Sequence, residues 1–306
     1  MITVLLAVYN GEKYLREQIE SILNQSVSDI RIVIRDDGSV DKSNGIIEEY
    51  LQKFPERISV LTGAPTKSAS ANFGELLRCC DDDYIMFADQ DDVWFADKVQ
   101  KTFDCMLKTE NGDTSVPVLV HGDLTVTDAD LKVINKSFFD YQKIIPDDLS
   151  LNRLLVQNYV TGCTVMINRA LKSKALPMPQ GVAMHDWWLA LVAAAFGRIA
   201  TVRAPLMYYR QHGDNQVGAK AGGGAAMLAR KLKTLGTVRK NYEATYRQAE
   251  LLLKSYGDIL PDSEKALLNA YSSMKDMGRL EKIKTIKEYN FKKCTRLRVI
   301  GQYFLA

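Results

Sequence analysis

The chain lacks the features that would tie it to a membrane span, a disulfide framework or the common nucleotide cradles. No apolar run approaches the roughly 18 residues of a membrane-spanning helix. The opening Met1-Ile2-Thr3-Val4-Leu5-Leu6-Ala7-Val8 has no basic segment and no cleavage site, so it reads as a strand rather than a signal peptide. The cysteines number five, at 79, 80, 105, 163 and 294, with no CxxC pair. An odd set without that spacing speaks against zinc or disulfides and fits reduced thiols in the cytoplasm. No GxGxxG follows the first strand and no GxxxxGK[ST] occurs, which removes the two commonest phosphate cradles of α/β folds. There is no internal repeat and no nucleic-acid recognition module.

What is present is an ordinary globular composition, 306 residues with 46% apolar and 25% charged, enough for one large domain or two smaller ones. The net charge of +3 conceals an asymmetry. Residues 225–306 hold 17 Lys and Arg against 8 Asp and Glu, whereas residues 1–224 hold 23 against 29. An acidic body thus carries a basic tail.

Along the body, apolar strands alternate with amphipathic helices. Strands are predicted at Ile2–Val8, Arg31–Arg35, Ile58–Leu61 and Tyr84–Ala88. The helices between them carry Leu15, Ile19 and Ile22, then Ile46, Ile47 and Tyr50, then Phe73, Leu76 and Leu77, the last starting at Ser70 or Asn72. Such alternation makes a doubly wound, mostly parallel sheet flanked by helices. A helix follows from Asp97 to about Thr109. Beyond it, Val118–Asp123 and Thr125–Val133 read as separate strands, Leu149–Val156 as a helix and Thr164–Ile167 as a strand. His185–Phe196 reads as a helix, and Arg198–Val202 and Leu206–Arg210 as two more strands. The glycine-rich Gly218–Gly224 reads as a linker, and residues 225–306 as a helical extension.

The fourth strand runs straight into Asp89-Gln90-Asp91-Asp92. Unpaired carboxylates are too costly for a core, so these acids belong at the carboxyl edge of the sheet, where open α/β folds bind ligands. Three acids within four residues build a field that a divalent cation with oxygen ligands relieves. A solvated turn capping the next helix is the plainer reading. The second strand likewise ends in Asp36-Asp37-Gly38-Ser39-Val40-Asp41, where a base-binding carboxylate competes with simple turn and N-cap chemistry.

Taken together, Ala7-Val8-Tyr9-Asn10-Gly11, Asp36-Asp37-Gly38-Ser39-Val40-Asp41 and Asp89-Gln90-Asp91-Asp92 resemble the pattern of glycosyltransferase family 2, on a GT-A fold, across residues 1–215. His185-Asp186-Trp187-Trp188 and Tyr209-Arg210-Gln211-His212 resemble the rhamnosyltransferases of bacterial cell-wall and capsular polymers. The resemblance implies that Val8, Tyr9, Asn10 and Asp37 border the nucleobase with Asp36 beside them, and that Asn72 lies near the ribose. It implies that Asp89 and Asp91 form a DxD motif around Gln90, facing the nucleotide sugar and a Mg²⁺ or Mn²⁺ ion. His212 is either an ordinary histidine or the residue that completes the metal shell. Asp186 matches the catalytic base. Trp94, Trp187 and Trp188, with His185, are candidates for an acceptor surface, although adjacent helical tryptophans point apart. His121 and Asp123 are either donor-sugar contacts or structural.

The implied activity is inverting, metal-dependent transfer of L-rhamnose from dTDP-β-L-rhamnose to a lipid-linked cell-surface glycan. A UDP-hexose transferase and a non-catalytic sugar-nucleotide binder are the alternatives. The implied organisation is a catalytic domain at 1–217, with its nucleotide-sugar half at 1–110 and its acceptor half at 111–217. The basic residues of 279–306 suit either peripheral contact with the cytoplasmic membrane face or packing on protein, including a second copy.

Overall fold

The structure, a computed structural model, describes residues 1–146, 148–213 and 235–305. Gly218–Gly224, expected as a linker, lies outside them. The chain begins β1 (Ile2–Val8), α1 (Leu15–Leu23), β2 (Ile30–Asp36), α2 (Ser43–Lys53), β3 (Ile58–Val60), α3 (Ala69–Arg78), β4 (Tyr84–Ala88). It continues through β5 (Val93–Trp94), α4 (Lys98–Glu110), β6 (Val118–Thr127), β7 (Val133–Asn135), α5 (Phe138–Gln142) and α6 (Leu151–Val156). Then come β8 (Met166–Asn168), α7 (Arg169–Ala175), α8 (His185–Phe196) and β9 (Arg198–Arg210). The basic extension holds α9 (Leu235–Tyr256), α10 (Asp262–Ser273), α11 (Arg279–Glu288) and α12 (Arg296–Leu305).

The strands form one mixed sheet in the order β3-β2-β1-β4-β8-β6-β9-β5, with β7 on the side of β6. The first four are mutually parallel. Helices cover both faces, so Val4, Leu5 and Leu6 of β1 are all fully buried. Each such side chain stabilises the fold by about 1.5–3 kcal/mol. Helix α1 buries Leu15, Gln18, Ile19 and Ile22, the i, i+3, i+4, i+7 stripe that its sequence shows. Helix α3 starts before the expected residues, at Ala69, because Ser68 supplies the cap by accepting from the Ala71 amide. The parallel register pairs Val8 with Asp36 and Leu6 with Ala88. The loops after β1, β2 and β4 therefore emerge at one edge.

The second half departs from the sequence expectation. The two expected strands at 118–133 are one long strand, β6, followed by the short β7. The polar residues on either side of the expected break are satisfied inside the sheet. The Asp123 carboxylate accepts from the Leu124 and Phe139 amides at 2.8 and 3.0 Å, and the Thr125 hydroxyl donates to the Lys136 carbonyl at 3.1 Å. The expected break in 198–210 is also absent. Strand β9 passes through it with a bulge that shifts pairing from Gly122–Val202 to Asp123–Pro205. Proline has no amide to donate, and a bulge is where a sheet tolerates it.

The helical extension is fused to the body. Tyr246, Leu252, Leu268, Tyr271 and Phe291 share one core with Leu5, Phe73 and Trp188. The Tyr256 hydroxyl donates to the Lys174 carbonyl at 2.7 Å, and the Asn152 amide to the Tyr289 carbonyl at 3.0 Å. Among the described residues, no helix is long and apolar enough to cross a membrane.

Candidate active site

The edge loops are sewn together by hydrogen bonds. Asn10 adopts a left-handed φ of 50°, which asparagine tolerates. Its side-chain oxygen accepts from the Val40 amide at 2.9 Å, and its own amide donates to the Ser39 hydroxyl at 2.8 Å. Asp36 accepts from the Gly38 and Ser39 amides at 3.0 and 2.8 Å, so it serves as the turn residue that the plainer reading foresaw. Gln90 clamps the β1 loop to the acidic loop. Its amide accepts from the Tyr9 N–H at 2.7 Å and donates to the Tyr9 carbonyl at 2.8 Å. A side chain at Gly11 would lie 2.6 Å from that amide oxygen, so the clamp requires glycine there.

Several residues expected to touch the nucleotide are committed to protein partners. Val8 is buried and its carbonyl accepts from the Asp37 amide at 2.8 Å. Asp37 is 7% exposed and accepts from Arg35 at 3.0 Å, from the Thr66 amide at 2.6 Å and from the Lys67 amide at 2.8 Å. Burial works to raise its pKa, but these hydrogen bonds outweigh it and hold the carboxyl below the usual range. Asn72 is 2% exposed, so it is not open to a ribose in this structure. Its oxygen accepts from Arg35 at 2.7 Å and its amide donates to the Arg35 carbonyl at 3.3 Å. Arg35, a charged residue in an otherwise apolar strand, thus organises both. Of the expected nucleobase residues, Tyr9 presents its side chain openly, at 58% exposure. A cavity of about 350 Å³, lined in part by Arg35, Leu61, Gly63, Thr66 and Arg78, adjoins this corner.

The acidic loop gathers what the sequence proposed. The Asp91 carboxylate and the His212 Nε2 are 2.8 Å apart, delivered from the ends of β4 and β9. The Arg210 guanidinium fixes this arrangement, donating to the Asp91 carbonyl at 2.9 Å and to the Ala129 carbonyl at 2.5 Å, and pairing with Glu17. Asp89 is half-buried, and its pKa is pushed up to about 7, first by burial and then by the charges of Asp91 and Asp186. Asp92 neither caps α4 nor meets solvent; it is 1% exposed, and one oxygen accepts from the Arg210 amide at 3.3 Å. Oxygens of Asp89 and Asp92 and the Cys163 sulfur lie within 4.8 Å of one another.

Beneath this loop sits Lys98, fully buried and missed by the sequence reading. Its ammonium donates to the Cys163 carbonyl at 2.6 Å and lies 3.5 Å from the centre of the Trp94 ring. Burial lowers its pKa to about 7, while the charges of Asp92 and Asp89 work to raise it. The signal was its position on the apolar stripe of α4, with Val99, Thr102 and Met106.

Asp186 stands in the first turn of α8, where the helix N-terminus favours an ionised carboxylate. It accepts from the Trp187 amide at 2.6 Å. Burial nevertheless raises its pKa to about 6, against hydrogen bonds from the Trp187 and Gly162 backbones and the Asn158 side chain. Gly162 admits this approach: a β-carbon there would sit 3.3 Å from the Asp186 carboxylate and 3.2 Å from His185.

The acceptor surface expected from aromatic residues is largely inside the protein. Trp94 is 3% exposed under Lys98, and Trp188 is fully buried with its indole donating to the Ala175 carbonyl at 3.0 Å. His185 is 3% exposed between Phe73 and Phe87, with ring centres 4.2 and 5.2 Å away. Burial lowers its pKa to about 3, so it is neutral. Trp187 remains partly exposed, anchored through its indole to the Leu154 carbonyl at 2.7 Å. His121 and Asp123 are structural: His121 is fully buried with Nε2 3.0 Å from the Thr201 hydroxyl, and Asp123 holds the start of α5.

A parallel half-sheet with acids leaving β2 and β4, and a carboxylate on a later helix whose charge reaches Asp89, fits a glycosyltransferase of the GT-A fold. The chain belongs to glycosyltransferase family 2, whose family model matches residues 3–173. Over 252 residues it is 32% identical to the dTDP-rhamnosyl transferase RfbG of Shigella flexneri, covering 78% of this chain and 80% of that protein. Among solved structures, residues 1–349 of S. aureus TarS, in complex with UDP-GlcNAc, match with a TM-score of 0.59 at 17% identity, over 89% of this chain and 70% of that one. The mannosyltransferase PcManGT from Pyrobaculum calidifontis, in complex with GDP-Man and Mn²⁺, matches with a TM-score of 0.52 at 14% identity, over 99% and 84% of the two chains.

The Gln90 clamp yields a test. Gln90→Ala is expected to cost about 1 kcal/mol of stability and to weaken donor-nucleotide binding several-fold, measured by denaturation and calorimetry. Equal nucleotide affinity in variant and wild type would show that the clamp has no part in the site.

Proposed function

We propose that this enzyme transfers L-rhamnose from dTDP-β-L-rhamnose, with inversion, to a hydroxyl of a growing, lipid-linked cell-surface glycan. Residues 1–217 are the catalytic unit in this reading. The observation that carries it is the set Asp89, Asp91, His212 and Asp186, intact and gathered in a chain so similar to a dTDP-rhamnosyl transferase. That set argues against a silent sugar-nucleotide binder. A UDP-hexose donor would use the same residues.

In the proposed reaction, Asp186 accepts the proton of the acceptor hydroxyl as its oxygen attacks the anomeric carbon. The new C–O bond forms on the face opposite the diphosphate, the bond to the β-phosphate oxygen breaks, and dTDP leaves. A β-linked donor thereby gives an α-rhamnoside. A positioned base of this kind contributes about 10²–10⁴-fold. Its raised pKa, near that of a weak base at neutral pH, suits the task.

The residues present also fit a divalent cation. A carboxylate oxygen and an imidazole nitrogen converge at Asp91 and His212, with Asp89 near, a donor set suited to Mn²⁺ or Mg²⁺. Such an ion, when bound, neutralises the charge that develops on the departing diphosphate. Asp91 and His212 would hold it, and Arg210 would keep Asp91 in place from behind.

Three outcomes are expected. Asp186→Asn lowers turnover about a thousandfold while leaving dTDP affinity intact; near-normal turnover would remove Asp186 from the mechanism. Because the base must be ionised, wild-type turnover falls as pH drops through about 6, and a profile without that limb contradicts the assignment. His212→Ala raises the Mn²⁺ concentration needed for half-maximal rate about tenfold or more; an unchanged requirement would exclude His212 as a ligand.

A further inference from the structure

We infer that the outer face of α11 and α12 is a docking surface for an anionic lipid bilayer. The inner faces of these helices are spent on the protein. Thr285 and Ile286 of α11 and Gln302 of α12 are buried, as are Phe291 and Cys294 of the segment between them, and the Gln302 amide donates to the Phe291 carbonyl at 2.7 Å. The outer faces are bare. Leu280 is 84% exposed, Leu297 78%, Phe304 73% and Ile300 50%. Leu297, Ile300 and Phe304 share one side of α12 by their i, i+3, i+7 spacing. The start of α11 lies beside the end of α12. The Arg279 guanidinium is 5.9 Å from the centre of the Phe304 ring and donates to the Tyr303 carbonyl at 3.5 Å. Four large apolar side chains thus stand exposed on two helices, three of them in one row, which monomeric surfaces rarely permit without a use.

The charge around them identifies the occupant. Residues 279–305 hold eight Lys and Arg against two Glu. Arg279, Lys284, Lys287 and Arg296 are exposed on the same two helices. A two-fold contact with a second copy would press these cations against their own counterparts, a like-charge juxtaposition that costs affinity. An anionic headgroup layer accepts them, and each basic residue near such a surface raises the partition coefficient about fivefold. The apolar row then enters the boundary between headgroups and acyl chains. Each helix has 10 residues, about 15 Å, half the thickness of a bilayer core. The element therefore lies on the membrane and does not cross it.

The docking helices are also connected to the chemistry. The Asn152 amide of α6 donates to the Tyr289 carbonyl at 3.0 Å, and the Leu154 carbonyl of the same helix accepts from Trp187, the neighbour of Asp186. The short α6 thus links the docking helices to the turn that holds the base. Resting on the reading of a lipid-linked acceptor, this connects the turn that holds the catalytic carboxylate, through α6, to the element that meets the bilayer.

The test is flotation of the full chain with phosphatidylcholine vesicles, with and without phosphatidylglycerol, at low and high salt. Binding is expected only with phosphatidylglycerol and is expected to fall at high salt. The triple variant Leu297→Glu, Ile300→Glu, Phe304→Glu alters exposed positions alone and should lower the bound fraction about tenfold or more. Its thermal unfolding midpoint without ligand should stay unchanged, which shows that the fold persists. No vesicle binding by the wild type, equal binding to neutral vesicles, or undiminished binding by the folded variant would each overturn the proposal. So would a dimer, seen by light scattering, that the triple variant dissolves. None of these readouts depends on the donor sugar, so they separate from any failure of the rhamnose reading.

Discussion

Mutual repulsion among Asp89, Asp91, Asp92 and Asp186 is the constraint on which the rest of the structure depends. Two of these carboxyls are held well above the ordinary range or near 7, because burial and neighbouring negative charge both disfavour ionisation. The fold answers with cations at different depths. Lys98 lies buried below the loop against Trp94 and Cys163, and Arg210 grips the backbone of Asp91 from the side. What remains uncompensated faces the open edge, where a divalent cation and a diphosphate would complete the balance.

Positioning follows from that concentration of charge. The acidic loop is short and follows a strand buried from Ile85 to Ala88, so its direction is set by the sheet. Gln90 ties it to the β1 loop, and Asn10 and Ser39 tie the β1 loop to the β2 loop. The contribution from the second half arrives by a different route. Strand β9, bulged at Pro205 and paired with β5, delivers His212 to Asp91. Asp186 reaches the same region from α8, because Gly162 leaves room for its carboxylate. Residues far apart in sequence therefore meet at one edge of the sheet.

Much of this was legible in the sequence where the signal was local. The buried parallel strands, the amphipathic α1 and the limits of α8 follow from periodicity, and the acids after β2 and β4 mark the edge. Legibility failed where partners come from elsewhere in the chain. The break expected between Asp123 and Thr125 is absent because the groups that satisfy these two inside the sheet include residues up to sixteen positions away, which nothing local reveals. Nothing local to Asp37 or Asn72 reveals that Arg35 turns toward both. Trp94 and Trp188 read as platforms because an indole offers a flat face in any setting, and burial decides its use. Lys98 was missed for the converse reason: a lysine on an apolar stripe looks like a tolerated exception until the acids above it are seen.

The central claim, that these residues serve a dTDP-sugar donor with a divalent ion, is tested most directly by thermal shift with dTDP, UDP and GDP, each with and without Mn²⁺. A ligand that binds the folded chain stabilises it in proportion to the logarithm of its excess over Kd. The account predicts the largest shift with dTDP, and a larger one with Mn²⁺ than without. A greater shift with UDP would keep the fold and the base and overturn the sugar, and no shift with any of the three would contradict the catalytic reading itself.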